Sequence, residues 1–240
     1  MTSKVPLSPL QLINFIRENS KFSRREIMDL LKNGKITVND AVITDANHSI
    51  SLADRVFVNK VQIEKKQRLY YKFNKPANVI STFDDPSGRK DLGFFIIKNR
   101  LPSTLRPCGR LDRPSTGLLL FSNDGDFIHR VLHPNFAIPK TYEIKLDLPL
   151  SDAHKDQLIT GIFLDDGPIS MTFVDTQSST HFIVRISIGR NRILRRSFAF
   201  FGYKITTLHR LSIGPIDLGN LPSGKFEPLP LSIIKSLEHN

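Results

Sequence analysis

Asp112 stands between two arginines, Arg110 and Arg113, in the segment GRLDRPSTGLLLF, which runs from Gly109 to Phe121. Four apolar residues, Leu118 to Phe121, follow it and read as a fully buried strand. The carboxylate therefore falls at the edge of a core. Beside guanidiniums in a basic chain, it suggests an ion held ready near an anionic ligand. Spacing alone favours a plainer alternative, an Asp that pairs with an arginine in a turn.

A second basic group lies in GRNRILRRSF, with Arg190, Arg192, Arg195 and Arg196. On a helix the last three share a face while Ile193 and Leu194 turn partly inward. Such a cluster could grip phosphates or pair with a carboxylate, or it could be a solvated face. Tyr142 shares a strand face with Ile144 and Leu146, so its default reading is a buried structural tyrosine. His129 and His133 have i, i+4 spacing, but the glutamate of HExxH is missing and an ordinary helix face is favoured over a metal site. Cys108, next to Gly109, reads as a small buried filler. No Walker phosphate loop, dinucleotide GxGxxG or zinc-type cysteine pair is present, so no cofactor and no metal are expected.

The 240 residues carry a net charge of +11 with 40% hydrophobic residues. That apolar fraction suffices for a globular core. The charge points to a polyanion, because Lys and Arg gain affinity by releasing phosphate counterions. Without a long apolar run or a basic amphipathic helix, nucleic acid is a better partner than a membrane. A single cysteine and an N-terminus lacking signal or transit character point to the cytoplasm. A monomer is expected for lack of heptads or an exposed apolar stripe.

The elements that must position these residues fall into two segments. Ser8 can cap a first helix with Pro9 at its first position and Leu12, Phe15 and Ile16 on one face. Ser23 and Glu26 form a capping box for a second helix, which Asn33 and Gly34 end. A hairpin turning at Asn39–Asp40 follows, and then a single strand over 55–63 with Val56, Val58 and Val61 alternating. Arg24 and Arg25 lie in the second helix's first turn, where the dipole favours anions. There they either help bind a phosphate or mark an ordinary solvated start. The charged link EKKQR (64–68) separates residues 1–66 from 67–240. The larger segment mixes strands, among them 140–146 and 181–188, with helices over 126–132 and 192–201. Without regular βαβ alternation, this is an α+β fold.

Taken together, the motifs resemble the bacterial ribosomal RNA pseudouridine synthases that carry an N-terminal S4 RNA-binding domain. SRREIMDLLKNGKITVND resembles the S4 helix pair and hairpin. YYKFNKPANVISTFDDPSGRKD, GRLDRPSTGLLLFSNDGDFIHRVLHP, KTYEI, GRNRILRRSFAFFGY and RLSIGPIDLGNLPSGKFEPL resemble the synthase motifs in the family's order. The chain departs from the family's usual residues at Ile193, Ser197 and the Pro9–Leu10 pair.

The resemblance implies a small S4-like domain of two helices plus short strands, then a mixed, mainly antiparallel catalytic sheet with flanking helices. It implies Asp112 as the catalytic aspartate, Tyr142 as the aromatic against the target base, and Arg195 as the partner of Asp112. Lys75, Arg110, Arg192 and Arg196 become expected RNA contacts, and Arg24 and Arg25 S4 contacts to RNA. The implied reaction converts one uridine of ribosomal RNA, or of a precursor subunit, to pseudouridine without a cofactor. DDPSGR and LDDGP lean toward large-subunit RNA. The alternatives are a small-subunit synthase or a non-catalytic RNA-binding assembly factor.

Overall fold

Ser23 Oγ accepts the Glu26 amide at 3.3 Å, and Glu26 Oε2 accepts the Ser23 amide at 2.7 Å. This reciprocal cap starts the helix Arg24–Lys32. The computed structural model describes residues 10–51 and 53–237, and the chain separates into units 1–67 and 68–240. In the first unit the helix Leu12–Asn19 packs Leu12 and Ile16 against Ile27, Leu31, Ile36 and Val56. Ser8 and Pro9 lie outside the described residues. The helix begins at Leu12 because Leu10 and Gln11 are extended and pair with Ile50 and Ser49.

Residues 55–63 correct the sequence-based expectation. They form a second hairpin, Val56–Val58 with Val61–Gln62, rather than one strand. The turn residues Asn59 and Lys60 have φ of 51° and 67°, matching Asn39 and Asp40 at 48° and 71° in the first hairpin. Consecutive left-handed residues are what a tight two-residue turn demands, and Asn tolerates that region well. Val61 is consequently exposed.

The second unit is organised by one large sheet. Its main path runs Thr172–Ser178, His181–Ile186, Lys140–Leu146, Ile205–Ile213, Thr116–Ser122, Tyr70–Lys75 and Phe226–Pro228. Neighbours on this path are antiparallel except at one seam, where Ile205–Ile213 runs parallel to Thr116–Ser122. The fold class is thus α+β, with a mainly antiparallel sheet.

Leu118, Leu119, Leu120 and Phe121 are all completely buried, because this strand has packed cores on both faces. Leu118 and Leu120 meet Phe127 and Val131 of the helix Gly125–Leu132. Leu119 and Phe121 meet Phe73 and Phe95. A third core joins Tyr142, Ile144, Phe182 and Val184 to Phe198 of the helix Ile193–Ala199. The strand expected to reach Ile188 ends at Ile186. The chain leaves the sheet there, so Ile188 is partly exposed and lines a cleft instead.

Candidate active site

Asp112 is presented by a turn whose interior is an ammonium group. Lys75, at the end of its strand, is completely buried. Its Nζ donates to the carbonyl oxygens of Ser115 at 2.8 Å, Pro76 at 3.1 Å and Asp112 at 3.2 Å, with Arg113 at 3.4 Å. Burial pushes its pKa down to about 8, against the pull of the Asp112 charge. The Ser115 amide closes the turn on the Asp112 carbonyl at 3.0 Å. Ser81 holds the preceding residue, accepting the Leu111 amide at 3.1 Å and donating to its carbonyl at 2.7 Å. Lys75, expected as an RNA contact, has no exposed surface and staples this turn internally.

The partners of Asp112 come from the far helix, not from its chain neighbours. Arg195 Nε and Arg192 Nη1 each lie 3.7 Å from Asp112 Oδ2. Arg195 is fixed by two further bonds, Nη1 to the Ile205 carbonyl at 2.9 Å and Nη2 to Ser115 Oγ at 3.3 Å. Arg192 is the helix N-cap, with φ of 46°, and its side chain is half exposed. Arg196 turns away from Asp112. Its guanidinium makes a two-pronged pair with Asp166, at 3.0 and 2.5 Å. Arg190 bonds the same carboxylate at 3.1 Å, and also the Asp166 and Pro168 carbonyls. In this structure the Arg196 donors, expected to contact RNA, are engaged within the protein. Asp166 thus ties the Ile162–Leu164/Gly167–Ile169 hairpin to the loop before the helix.

Between the Asp112 turn and this loop opens a cleft of about 340 Å³. Tyr142 lines it from the Lys140–Leu146 strand, only 7% exposed. Arg210 lies beside the phenol, donating from Nη1 to Tyr142 Oη at 3.3 Å and from Nε to the Leu118 carbonyl at 2.6 Å. Arg210 pairs with Gly117 across the parallel seam. A Cβ at Gly117 would lie 2.3 Å from the Arg210 carbonyl oxygen, so only glycine admits this approach. Lys140 also lines the cleft, and burial pushes its pKa down to about 8.

Arg210 and Asp166 were not singled out from the sequence. A usable signal existed for Arg210: a charged residue on the inward phase of the alternation Leu208, Arg210, Ser212. Arg110 lies exposed at the cleft, while Arg24 and Arg25 are exposed in the separate first unit. The His129 and His133 rings sit 4.7 Å apart, and no group of three or more metal-ligating residues forms among the described residues. Cys108 is buried, and burial pushes its thiol pKa up. No described helix is long and apolar enough to cross a membrane.

An aspartate held by two arginines beside a buried tyrosine invites comparison with known proteins. Residues 70–200 match the RNA pseudouridylate synthase family. The ribosomal large subunit pseudouridine synthase B of Bacillus subtilis is 34% identical over 90% of each chain. This chain belongs to the RNA pseudouridylate synthase family. An RNA pseudouridine synthase of Aquifex aeolicus is 29% identical, over 92% of this chain and 90% of its own. A crystal structure of a pseudouridylate synthase superposes with a TM-score of 0.66 at 26% identity, covering 95% of this chain and 99% of that one. The matched family segment includes Lys75, Asp112, Tyr142 and Arg195.

Proposed function

We propose that this protein isomerises one uridine of ribosomal RNA to pseudouridine in the cytoplasm, with Asp112 as the catalytic carboxylate. The observation that carries this proposal is the Asp112 carboxylate facing both Arg192 and Arg195 at a cleft lined by Tyr142. The Bacillus relative's name supports large-subunit RNA as the substrate.

The reaction breaks the C1′–N1 bond, rotates the uracil and joins C5 to C1′. The two guanidiniums lie beside the Asp112 carboxylate and hold it at the cleft, where it can act at the sugar carbon. Tyr142 offers a ring face to a base that has left its stack. Arg192 and Arg110, both exposed at the cleft, would meet the RNA backbone. Residues 1–66 act as an S4-like RNA-binding unit, supported by their helix pair, their hairpins and the exposed Arg24 and Arg25.

The test is tritium release from ribosomal RNA transcripts labelled at uridine C5. Wild type should release tritium and Asp112→Ala should release none. Absence of release by wild type, on naked RNA and precursor subunits alike, would refute the synthase assignment of this site.

A further inference from the structure

The cleft contains more positive charge than Asp112 requires. Arg192 and Arg195 already face that carboxylate. Arg210 and Lys140 lie on adjacent paired strands, near enough for the charge of Arg210 to act on Lys140. Among the described residues neither has an ion-pair partner. Arg210 is 4% exposed, and its buried Nη2 has no hydrogen-bond partner. Lys140 Nζ makes one bond, to the Ile138 carbonyl at 2.9 Å. Nearby Cys108 supplies no counter-charge, because burial holds its thiol protonated.

Two cations without counter-charges, one of them almost fully buried, are costly, and a buried donor without an acceptor costs more again. Such an arrangement is complementary to something that fills it transiently and carries negative charge. We infer that Arg210 and Lys140 are catalytic residues that bind the uracil carbonyl oxygens and hold the charge the base acquires when its bond to C1′ breaks. The inference rests on the isomerase assignment of the same cleft.

The chemistry balances without any further reactant. The C1′–N1 bond breaks with its electron pair on N1, and conjugation spreads that charge onto O2 and O4. C5 then supplies the pair that joins it to C1′, the C5 proton passes to solvent, and N1, freed of the sugar, takes up a proton from solvent in exchange. The charge on the base is therefore temporary. Fixed donors aimed at developing charge in a water-poor cavity are among the strongest devices for lowering a barrier. Position separates this role from phosphate binding. Arg210 lies beside the phenol of Tyr142, with its guanidinium carbon 5.9 Å from the ring centroid, so its charge stands next to the ring on which a base would stack. Phosphates would meet the exposed Arg110 and Arg192 instead.

The experiment compares wild type, Arg210→Lys and Lys140→Met under single-turnover conditions. Two RNAs are used, with uridine or 5-fluorouridine at the modified position. Consumption of that nucleotide is followed by nuclease digestion and chromatography, alongside RNA affinity and thermal melting. Fluorine stabilises the base anion intrinsically, so a poorer anion site should matter less. Each folded variant should consume uridine about 100-fold more slowly at nearly unchanged RNA affinity, with a clearly smaller deficit on 5-fluorouridine. Equal deficits on both RNAs, a loss confined to affinity, or wild-type rates in both variants would each overturn the inference. Lys140→Met, on the sheet surface facing the cleft, provides the test if Arg210→Lys fails to fold. Wild type consuming neither RNA would instead overturn the isomerase assignment, and this inference with it.

Discussion

Arg195 reaches Asp112 from the opposite side of the cleft, its Nε 3.7 Å from Oδ2, while its other two nitrogens are bound to the Ile205 carbonyl and Ser115 Oγ. One planar fork therefore ties together the Asp112 turn, the Ile205–Ile213 strand and its own helix. A lysine could keep the charge but not these three directions at once. Arg195→Lys should lower the single-turnover rate about 100-fold while leaving RNA affinity near wild type. Arg192→Lys, at a half-exposed position, should lose much less. Rate and affinity measured on both variants check this, and comparable losses in the two would contradict it.

Lys75 predicts a stability effect. Lys75→Met would fill the space but strip the surrounding carbonyls of their donor, leaving buried acceptors unpaired. A loss of about 2–5 kcal/mol in unfolding free energy is expected. Urea denaturation would measure it. A change below about 0.5 kcal/mol, typical of an exposed lysine, would show that the staple is not structural.

Asp166 acts at a distance from the carboxylate it serves. Its pairs with Arg190 and Arg196 bracket the segment that carries Arg192 and Arg195. Asp166→Asn should slow modification about tenfold by loosening that loop, with little change in thermal midpoint because the pairs are partly solvated. The same rate loss after Asp165→Asn would argue against a specific clamp, since Asp165 contributes only a distant charge to Arg196.

Gly117 should tolerate no side chain. Its φ of 99° and the 2.3 Å approach of a Cβ to the Arg210 carbonyl oxygen act together. Gly117→Ala should cost about 3 kcal/mol or more, seen as a large fall in thermal midpoint or as insoluble protein. Gly125→Ala, where a Cβ meets nothing within 4 Å, is the matched control.

Much of this architecture was legible from local chemistry. The Ser23–Glu26 cap, the Asn39–Asp40 turn and the buried run Leu118–Phe121 each declare themselves within a few residues. The same holds for Tyr142, Ile144 and Leu146 on one strand face. The second hairpin escaped because Val61 continues an apparent alternation, and only the left-handed Asn59–Lys60 turn shows the chain reversing. Arg195 and Arg196 are adjacent and chemically identical, so no local rule separates the one facing Asp112 from the one held by Asp166. Lys75 escaped for a related reason. A lysine before a proline reads as a solvent-facing turn until the 112–115 segment closes over it.

The parallel seam also imposes an order of events on the growing chain. Asp112 leaves the ribosome early, but the strand beside it, with the arginine that lines the cleft floor, is made only after the helix of Arg195. Until residues 205–213 slot between the Lys140–Leu146 and Thr116–Ser122 strands, the two flanks of the sheet are unjoined along the main path. The nascent polypeptide therefore carries the residues of the cleft as separate pieces. Only once that strand is in place do Asp112, Arg195 and Arg210 come to line one cleft.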